Sequence, residues 1–571
     1  MIAWILIASL AAFFVAYRLY GAWMSRALGL DDRRAVPAEL FHDGVDFVPA
    51  KTPVLLGHHF SSIAGAGPVV GPILAGLFFG WLPAVIWIVV GSIFVGGVHD
   101  LASLVGSIRH KARSVAELAR EYMSPLAFKL CLAFIWLALV YVIVVFVDLT
   151  AATFEDPAYN GGGVAISAGL FMGLAIIFGL IDNRTRLPIW ASTLFFLPLV
   201  FAAVWIGGVV AIPDGTIPQL FGSEHDTWNI LLLLYALIAS VTPVWILLQP
   251  RDYLSSYLLY FAVIGGAIGL LIGGMTGAFS STWPAIVTPA MVREFDVAPL
   301  GPLFPILFIT VACGACSGFH SIVASGTTSK QLRCESDARR VAYGAMLIEG
   351  VVAVVALATV MVLPWGGDAL RSQPLQVYAA GIGAFLATFG IPESFGAHFG
   401  LLALSTFLLT TLDTCSRLGR YVFQEFAGLD NTKPAVRWIS TLATLALPAV
   451  LLFITLTDPA GNPVPAWKAI WPVFGATNQL LAGLALLVAT VWLKRTGRVY
   501  LFAAIPMVFM VAMTMTALWM LISTHGPSLV GGIAAVLFLL GVLLVFEAVR
   551  ALRAERLEPE PVVWRAAMAG D

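Results

Sequence analysis

The sequence predicts an all-α polytopic membrane protein with about 15–16 transmembrane helices. Of its 571 residues, 60% are hydrophobic and 11% are charged, and the mean hydropathy is +0.93. Soluble domains carry about 25% charged residues, so this chain has too little charge to cover a soluble surface. A net charge of −1 excludes a nucleic-acid binder, and five cysteines exclude a disulfide-rich secreted scaffold.

Runs of apolar residues give the number of spans, because a membrane-crossing helix needs about 20 of them. A further run, 376–391, is short and rich in glycine and ends at Pro392, so we interpret it as a half-crossing or a surface helix. The predicted spans are 2–24, 56–80, 82–107, 126–153, 161–181, 187–212, 228–249, 254–278, 302–325, 340–364, 396–416, 437–457, 470–493, 499–522 and 528–549.

Basic residues give the orientation. With the N-terminus outside and the C-terminus in the cytoplasm, 27 of the 31 Lys and Arg residues fall in cytoplasmic loops. This asymmetry is what the positive-inside rule requires. The charge asymmetry of all later loops would reverse if 376–391 crossed the membrane fully. This run is therefore predicted not to cross. The first span lacks a basic leading segment and a cleavage site, which indicates a retained helix.

Span 2 is predicted to be broken. It contains three glycines and two prolines within residues 65–72. Proline removes a backbone N–H and clashes with the preceding turn, and glycine adds backbone freedom. Unwound backbone inside a membrane is tolerated where it lines a cavity. We therefore expect residues 64–71 to unwind and bind substrate, through Ala64, Gly65, Gly67, Pro68 and Gly71.

Span 7 contains Pro243 near its predicted middle, and it begins a second group of five helices. Spans 2–6 and 7–11 then have opposite orientations, and each group opens with a broken helix. This is the leucine-transporter-like 5+5 inverted repeat of secondary transporters, with the site at the midplane. The predicted organisation is an N-terminal helix and loop (1–55), two repeats (56–212 and 228–420), peripheral helices (437–549) and a cytoplasmic tail (550–571).

The broken ends predict what the site binds. The N-terminus of a half-helix favours an anion such as a carboxylate, and we expect Thr242 and Ser317 to complete that site. Unwound carbonyls and hydroxyls favour a cation. By analogy with the third helix of a leucine-transporter repeat, span 9 offers a possible cation site at Ser325, Thr327 and Thr328.

Five ionisable residues share one predicted depth within the membrane, toward the cytoplasm. Such residues are rare and costly, and histidine titrates near neutral pH, so a proton-coupling relay is predicted. The alternatives are histidines that bond helix-break carbonyls, and a zinc site. Adjacent histidines on a helix point about 100° apart, which disfavours zinc, and we predict no bound metal. The five are His58, His59, His99, Asp100 and His320.

Two further pairs are noted. Arg251 and Asp252 lie just past span 7 and are candidate gate residues; the alternative is an ordinary helix-end pair worth under about 1 kcal/mol. Cys313 and Cys316 form a CxxC within an apolar helix, which we interpret as packing. The sequence contains no phosphate-binding GxxxxGK[ST] motif, so an ATP-driven pump is unsupported.

Four segments resemble the carbon starvation protein A (CstA) family of bacterial transporters. They read HDGVDFVPAKTPVLLGHHFSSIAGAGPVVGPILA (42–75), GVHDLASL…SIRHKARS (97–114), TPVWILLQPRDYLSSYLL (242–259) and SGFHSIVASGTTSKQL (317–332). The resemblance implies a bacterial plasma-membrane uptake system for peptides or pyruvate, used when carbon is scarce. It also implies a branch of the amino acid–polyamine–organocation superfamily, in agreement with the inverted repeat.

The predicted function is a secondary active transporter, a proton symporter for a small carboxylate-bearing nutrient. The substrate is expected to be pyruvate or a short peptide. The protein is expected to be no enzyme, to use no cofactor and to have the lipid bilayer and its small-molecule substrate as partners, with no nucleic acid. Sodium coupling through the span 9 hydroxyls is one alternative. A nutrient sensor, or a membrane metalloprotein without transport, is the other.

Overall fold

The structure is a computed structural model. Of the predicted tail, 550–571, residues 556–571 lie outside the described residues. The described residues are 1–43, 47–156, 158, 160–184, 188–210, 212, 215–243, 245–429, 433–454, 456–457 and 463–555.

Within these ranges, 12 helices are long and apolar enough to cross a membrane, and one bent helix pair makes a thirteenth span. The predicted polytopic helical class is therefore confirmed. Two other predicted spans, 228–249 and 302–325, form a shorter helix and a helix in three pieces. The first helices are α1 (Ile2–Leu28), α2 (Pro37–Leu40), α3 (Thr52–Ile63), α4 (Gly67–Phe79), α5 (Trp81–Gly91), α6 (Gly97–Arg109), α7 (Val115–Tyr122), α8 (Pro125–Glu155), α9 (Gly161–Arg184), α10 (Ile189–Val209), α11 (Glu224–Val241) and α12 (Leu248–Thr276).

The rest of the described chain is also mostly helical, and a small antiparallel hairpin joins α21 to α22. A π-helical turn, Ser92–Gly96, makes α5 and α6 one continuous span, and Arg339–Tyr343 forms a similar turn before α17. The other elements are α13 (Pro289–Arg293), α14 (Leu303–Thr310), α15 (Ala312–Cys316), α16 (Gly318–Gly326), α17 (Gly344–Met361), α18 (Gly367–Arg371), α19 (Pro374–Ala387), α20 (Glu393–Ala427), α21 (Pro434–Phe453), β1 (Leu456–Thr457), β2 (Pro463–Val464), α22 (Ala466–Arg495), α23 (Leu501–His525) and α24 (Leu529–Leu552).

Serine residues begin several of these helices. The hydroxyls of Ser114, Ser124, Ser223 and Ser528 each accept a bond from a backbone N–H in the first turn of the helix that follows. Such caps satisfy donors that have no partner inside the helix. They fix where α7, α8, α11 and α24 start.

The predicted break in span 2 is present. α3 ends at Ile63, α4 begins at Gly67, and the two axes meet at 47°. The unwound stretch is shorter than predicted: the helix resumes at Gly67 instead of after Gly71. Pro68 is the reason, because proline fits the first turn of a helix, where its missing N–H costs nothing.

The second break lies in a different helix from the one predicted. α11 ends at Val241, so Pro243 follows a helix end and does not interrupt a membrane-crossing helix. Proline disfavours helical conformation in the residue before it, which explains the stop. The break is instead in span 9, where Val311 and Ser317 are non-helical and divide it into α14, α15 and α16.

The two broken helices pack directly against each other. α4 contacts α14 and α15. A Cβ atom on Gly67 would lie 2.1 Å from the Cβ of Cys313, and one on Gly71 would lie 2.4 Å from the carbonyl oxygen of Thr310. Glycine is therefore required at both positions for the helices to approach this closely.

Contacts between helices recur in matched pairs. α3 packs on α12, and its counterpart α15 packs on α22. α4 packs on α17, and its counterpart α16 packs on α6. α8 packs on α11, and its counterpart α20 packs on α21. These pairs favour two corresponding groups of helices, one in 52–276 and one in 303–495. α9 and α10 are then an insertion in the first group. The repeat boundaries of 56–212 and 228–420 stay a prediction.

α19 corresponds to the short run 376–391. Its 14 residues are about 21 Å long, less than the roughly 30 Å of the hydrocarbon core. It packs on α4, α12, α17 and α20. This length agrees with a segment that does not cross the membrane.

We expect Gly67→Ala to lower stability by about 1–3 kcal/mol, since the added methyl group overlaps Cys313 and the backbones must separate. Thermal unfolding in detergent measures this. The control is Gly169→Ala in α9, where no atom lies within 4 Å of the added Cβ. There the change is neutral or stabilising, since alanine favours a helix. Equal unfolding temperatures for both variants would contradict the packing at the breaks.

Candidate functional site

The two helix breaks enclose a small central cavity. Its volume is about 10 Å³, room for about one water molecule. Four of the predicted substrate-binding residues line it, while Ala64, Gly71 and Thr242 are not among the lining residues. The lining comprises Ile63, Gly65, Gly67, Pro68, Val142, Phe146, Cys313, Ser317, Phe319, Thr411, Phe474 and Asn478.

Thr242 does not line the central cavity, because it lies at the C-terminal end of α11. Its hydroxyl donates to the carbonyl of Ile238 at 2.8 Å, and its own carbonyl accepts from Arg417 at 2.5 Å. It therefore closes a helix end. The prediction depended on the break expected at Pro243, which the structure does not contain inside a helix.

Asn478 of α22 is the polar residue of the cavity that the sequence reasoning missed. Its Oδ1 accepts bonds from the backbone N–H of Phe319 at 2.9 Å and from the hydroxyl of Ser317 at 3.2 Å. Its Nδ2 lies 2.9 Å from the Sγ of Cys313. Asn478 thus covers the N-terminus of α16, where an anion is favoured. A lone amide pair, Asn478 and Gln479, within an apolar span was the available signal.

Larger cavities lie on either side of the central one. One of about 320 Å³, here the basic-side vestibule, is lined by residues that include Arg113, Ser114, Glu117, Lys330, Tyr421 and Glu425. The other, of about 700 Å³, is lined by residues that include Asp148, Glu155, Asp156, His225, Asp226 and Trp467; we call it the opposite vestibule. α8 runs from the first side to the second, and its Val142 and Phe146 line the central cavity.

Bulky side chains separate these spaces. Phe146 and Phe474 lie 6.1 Å apart at the central cavity. A second cavity of about 10 Å³ follows toward the basic-side vestibule, lined by Phe319, Phe474 and Ile322 among others. The site is therefore closed on both sides, and its closed volume does not distinguish pyruvate from a peptide.

A buried charge network crosses the bundle beside α3. His58 Nδ1 lies 2.8 Å from Asp252 Oδ2, and Asp252 Oδ1 lies 3.1 Å from Arg251 Nη2. The other Nη of Arg251 donates to Asp413 Oδ2, which also accepts from the hydroxyl of Tyr235 at 2.7 Å. All of these side chains except that of Tyr235 are at most 2% exposed.

Arg251 and Asp252 therefore belong to a network, although the sequence predicted a gate pair at a helix end. They lie in the first two turns of α12 and are fully buried. Neither is among the residues that line the cavities above. The gate role stays a prediction, and sequence reasoning did not identify Asp413 or Tyr235 as partners.

A second buried network joins α6, α16 and α17. His320 lies between two carboxylates: its Nδ1 is 3.3 Å from Asp100 Oδ2 and its Nε2 is 3.1 Å from Glu349 Oε2. His99 Nδ1 lies 3.0 Å from Asp100 Oδ1. These distances are within the range of ion pairs, but none of the contacts is a hydrogen bond. The side chains of this network therefore interact electrostatically.

His59 is buried and contacts one of the candidate cation residues. Its Nδ1 lies 2.8 Å from the hydroxyl of Thr328. The hydroxyls of Ser325 and Thr327 each donate to a carbonyl of their own helix, those of Ser321 and Val323. The three predicted cation ligands are thus already bonded within the protein.

Metal binding was the other interpretation of the histidines. Among the residues that the structure describes, no group of three or more His, Cys, Asp or Glu side chains has an arrangement that holds a metal ion. Cys313 and Cys316 are buried thiols in α15. Cys313 contacts Asn478 at the central cavity.

The family is decided by comparison with known proteins. The family model described as "Carbon starvation protein CstA" matches residues 1–367 and 366–517. The chain belongs to the CstA family. It is 31% identical to the pyruvate/proton symporter BtsT of Escherichia coli K12, over 92% of this chain and 82% of that protein.

Other members of the family carry a different name. The peptide transporter CstA of Bacillus subtilis 168 is 32% identical, with 96% of both chains covered. The peptide transporter CstA of E. coli K12 is also 32% identical, over 90% of this chain and 80% of that one. The family thus includes relatives named for pyruvate and relatives named for peptides.

Solved structures also align with most of this chain. A manganese transporter of Eremococcus coleocola aligns with 89% of this chain and 99% of its own, with a TM-score of 0.45 and 14% sequence identity. A second structure of that transporter aligns with 87% and 94%, with a TM-score of 0.44.

We expect Asp413→Asn to lower stability by about 3–5 kcal/mol, because it leaves Arg251 short of one charged partner at full burial. The double variant Arg251→Leu with Asp413→Leu recovers part of this loss, since Asp252 keeps His58. The control is Arg33→Gln, which breaks an ion pair whose arginine is 82% exposed, so that solvent screening leaves it little effect on stability. Unfolding temperatures in detergent that are equal for Asp413→Asn and Arg33→Gln would contradict the network.

Proposed function

We propose that this protein is a proton symporter that imports a small carboxylate-bearing nutrient, pyruvate or a short peptide. It acts in the bacterial plasma membrane, with the N-terminus outside and the C-terminus in the cytoplasm. The basic-side vestibule then faces the cytoplasm and the opposite vestibule faces the exterior. The lipid bilayer and the substrate are its partners, and it needs no cofactor.

The substrate carboxylate binds at the N-terminus of α16. In the closed cavity, Asn478 Oδ1 accepts the bond from the Phe319 N–H and the bond from the Ser317 hydroxyl. A carboxylate is a stronger acceptor for both donors and is favoured by the helix dipole. Substrate binding therefore displaces the Asn478 amide and enlarges the cavity.

The buried networks hold the coupling proton. Asp100 and Glu349 are fully buried, and among the described residues neither is within ion-pair distance of a Lys or Arg. A buried carboxylate needs a positive partner or a proton. Histidines are the groups available, so the charge of this cluster depends on bound protons. Arg251 likewise pairs with two carboxylates, those of Asp252 and Asp413, so its network has one more negative than positive charge. His58, which contacts Asp252, is the residue of this network that binds the compensating proton.

One observation carries the proposal: two adjacent residues of α16 lie at the proposed substrate site and in the proposed proton-binding cluster. Phe319 supplies the N–H at the cavity, and His320 follows directly, between Asp100 and Glu349. A substrate carboxylate at the start of α16 adds negative charge within one turn of His320. It therefore raises proton affinity at this cluster, and a bound proton raises substrate affinity by the same factor.

Sodium coupling has less support from the geometry. Ser325 and Thr327 donate to helix carbonyls and Thr328 faces His59, so a sodium ion must replace these bonds. The proton cluster needs no such replacement.

We expect reconstituted protein to accumulate labelled pyruvate or a labelled dipeptide when the outside is more acidic. One pH unit supplies about 1.4 kcal/mol per proton, enough for about tenfold accumulation. Replacing sodium with choline leaves uptake unchanged. Protein-free liposomes are the control. Uptake that ignores the pH gradient would contradict proton coupling, and uptake abolished by choline would support sodium.

We expect His320→Gln and Glu349→Gln to separate exchange from accumulation. Both remove a proton-binding group from the cluster but leave Ser317, Phe319 and Asn478 in place. Exchange of labelled for unlabelled substrate continues, while accumulation driven by the pH gradient is lost. His525→Gln, at the far end of α23, is the control and keeps both. Accumulation at the wild-type level in both cluster variants would place the proton elsewhere.

A further inference from the structure

The start of α22 is attached to α8 by one carboxylate. Asp148 Oδ2 accepts a bond from the backbone N–H of Trp467 at 2.8 Å, in the first turn of α22. Asp148 Oδ1 lies 2.8 Å from His225 Nε2 on α11. A carboxylate at a helix N-terminus is stabilised both by the free N–H groups and by the helix dipole. Asp148 thus connects α8, α11 and α22 at the floor of the opposite vestibule.

The same part of α22 separates this vestibule from the central cavity. Trp467 lines the vestibule, and Phe474 lines the cavity. Trp471 lies between them, with its ring 6.2 Å from that of Trp467 and 5.3 Å from that of Phe474. This aromatic row follows the helical spacing of one face of α22. Movement of the first turns of α22 away from α8 therefore connects the vestibule with the cavity.

His225 compensates the charge of Asp148. Its Nδ1 lies 3.0 Å from Glu155 Oε2, so both ring nitrogens face carboxylate oxygens. A neutral imidazole donates from one nitrogen only, whereas imidazolium donates from both. The other titratable groups in the described lining are Asp156 and Asp226, and none of the described lining residues is Lys or Arg. Asp156 Oδ2 accepts from Gln376 at 3.2 Å.

We propose that Asp148 is the latch of the outer gate: its ionised carboxylate holds the start of α22 closed, and protonation from the opposite vestibule releases it. A neutral carboxyl group loses the charge-assisted bonds to the Trp467 N–H and to His225. Asp148 acts through α22 and is not among the residues that line the central cavity, so it is a positioning residue. Its role in import rests on the proposed function, but the gate itself is measurable without transport.

Cys313 is a native reporter of this gate, since it lines the central cavity. The probe is a membrane-impermeant cationic methanethiosulfonate, applied to right-side-out and to inside-out membrane vesicles. Cys131, Cys316 and Cys415 are buried, and Cys334, which is partly exposed in the loop before α17, marks vesicles in which the basic side is accessible. Cys313→Ser in each background identifies the label at Cys313.

With the reagent on the opposite-vestibule side, Asp148→Asn modifies Cys313 about tenfold faster than wild type, as expected for loss of one charge-assisted bond. The control Glu155→Gln keeps the Trp467 bond and stays near the wild-type rate. Lower pH leaves less thiolate in every variant, so the wild-type rate is divided by the Asp148→Asn rate, and this ratio rises as the pH on that side falls.

Equal rates in Asp148→Asn and wild type would overturn the latch. So would a wild-type rate that falls with pH as steeply as that of a free thiol under the same conditions, a result that stands even when the variant folds poorly. If no substrate is transported but Cys313 responds as described, the proposed function fails and the gate is upheld. If transport is proton-coupled and Cys313 does not respond, the gate fails alone.

Discussion

Every charge inside a bilayer needs a partner, and this constraint organises the core of the protein. Arg251 is fully buried and is held by Asp252 on its own helix and Asp413 on α20. Asp252 in turn bonds His58 on α3. Replacing Arg251 leaves two buried carboxylates without their cation, which costs several kcal/mol. The helix before the first break is thereby attached to two long, continuous helices that do not break.

The breaks and the charges act together. Gly67 and Gly71 let α4 approach the second broken helix, and this contact places the start of α16 at the cavity. The same helix carries His320 between two buried carboxylates. Under the proposed function, substrate and proton meet on adjacent residues, and no long pathway is required between them. The vestibules at about 320 and 700 Å³ are the two approaches to this point.

Local sequence chemistry predicted part of this arrangement. The Pro–Gly cluster of span 2 determines its own break, so that break was predicted correctly. The histidines were recognised because ionisable residues are rare in apolar spans, and His58, His99, Asp100 and His320 do lie in buried networks. The role of each in proton coupling stays a prediction.

The missed features depend on distant partners. Ser317 breaks its helix where Asn478, 161 residues away, satisfies the freed N–H and hydroxyl. Asp413 pairs with Arg251 across 162 residues. Neither relation has a spacing that a single sequence reveals. Pro243 was misplaced for the opposite reason: proline favours a helix end as much as a kink, and only tertiary packing decides between them.

Proton movement that follows substrate tests proton coupling most directly. Proteoliposomes are loaded with a pH-sensitive dye, and pyruvate or a dipeptide is added outside with no pH gradient imposed. We expect the lumen to acidify as substrate enters, faster than in protein-free liposomes, and His320→Gln to abolish the excess. Substrate entry without excess acidification would contradict proton coupling.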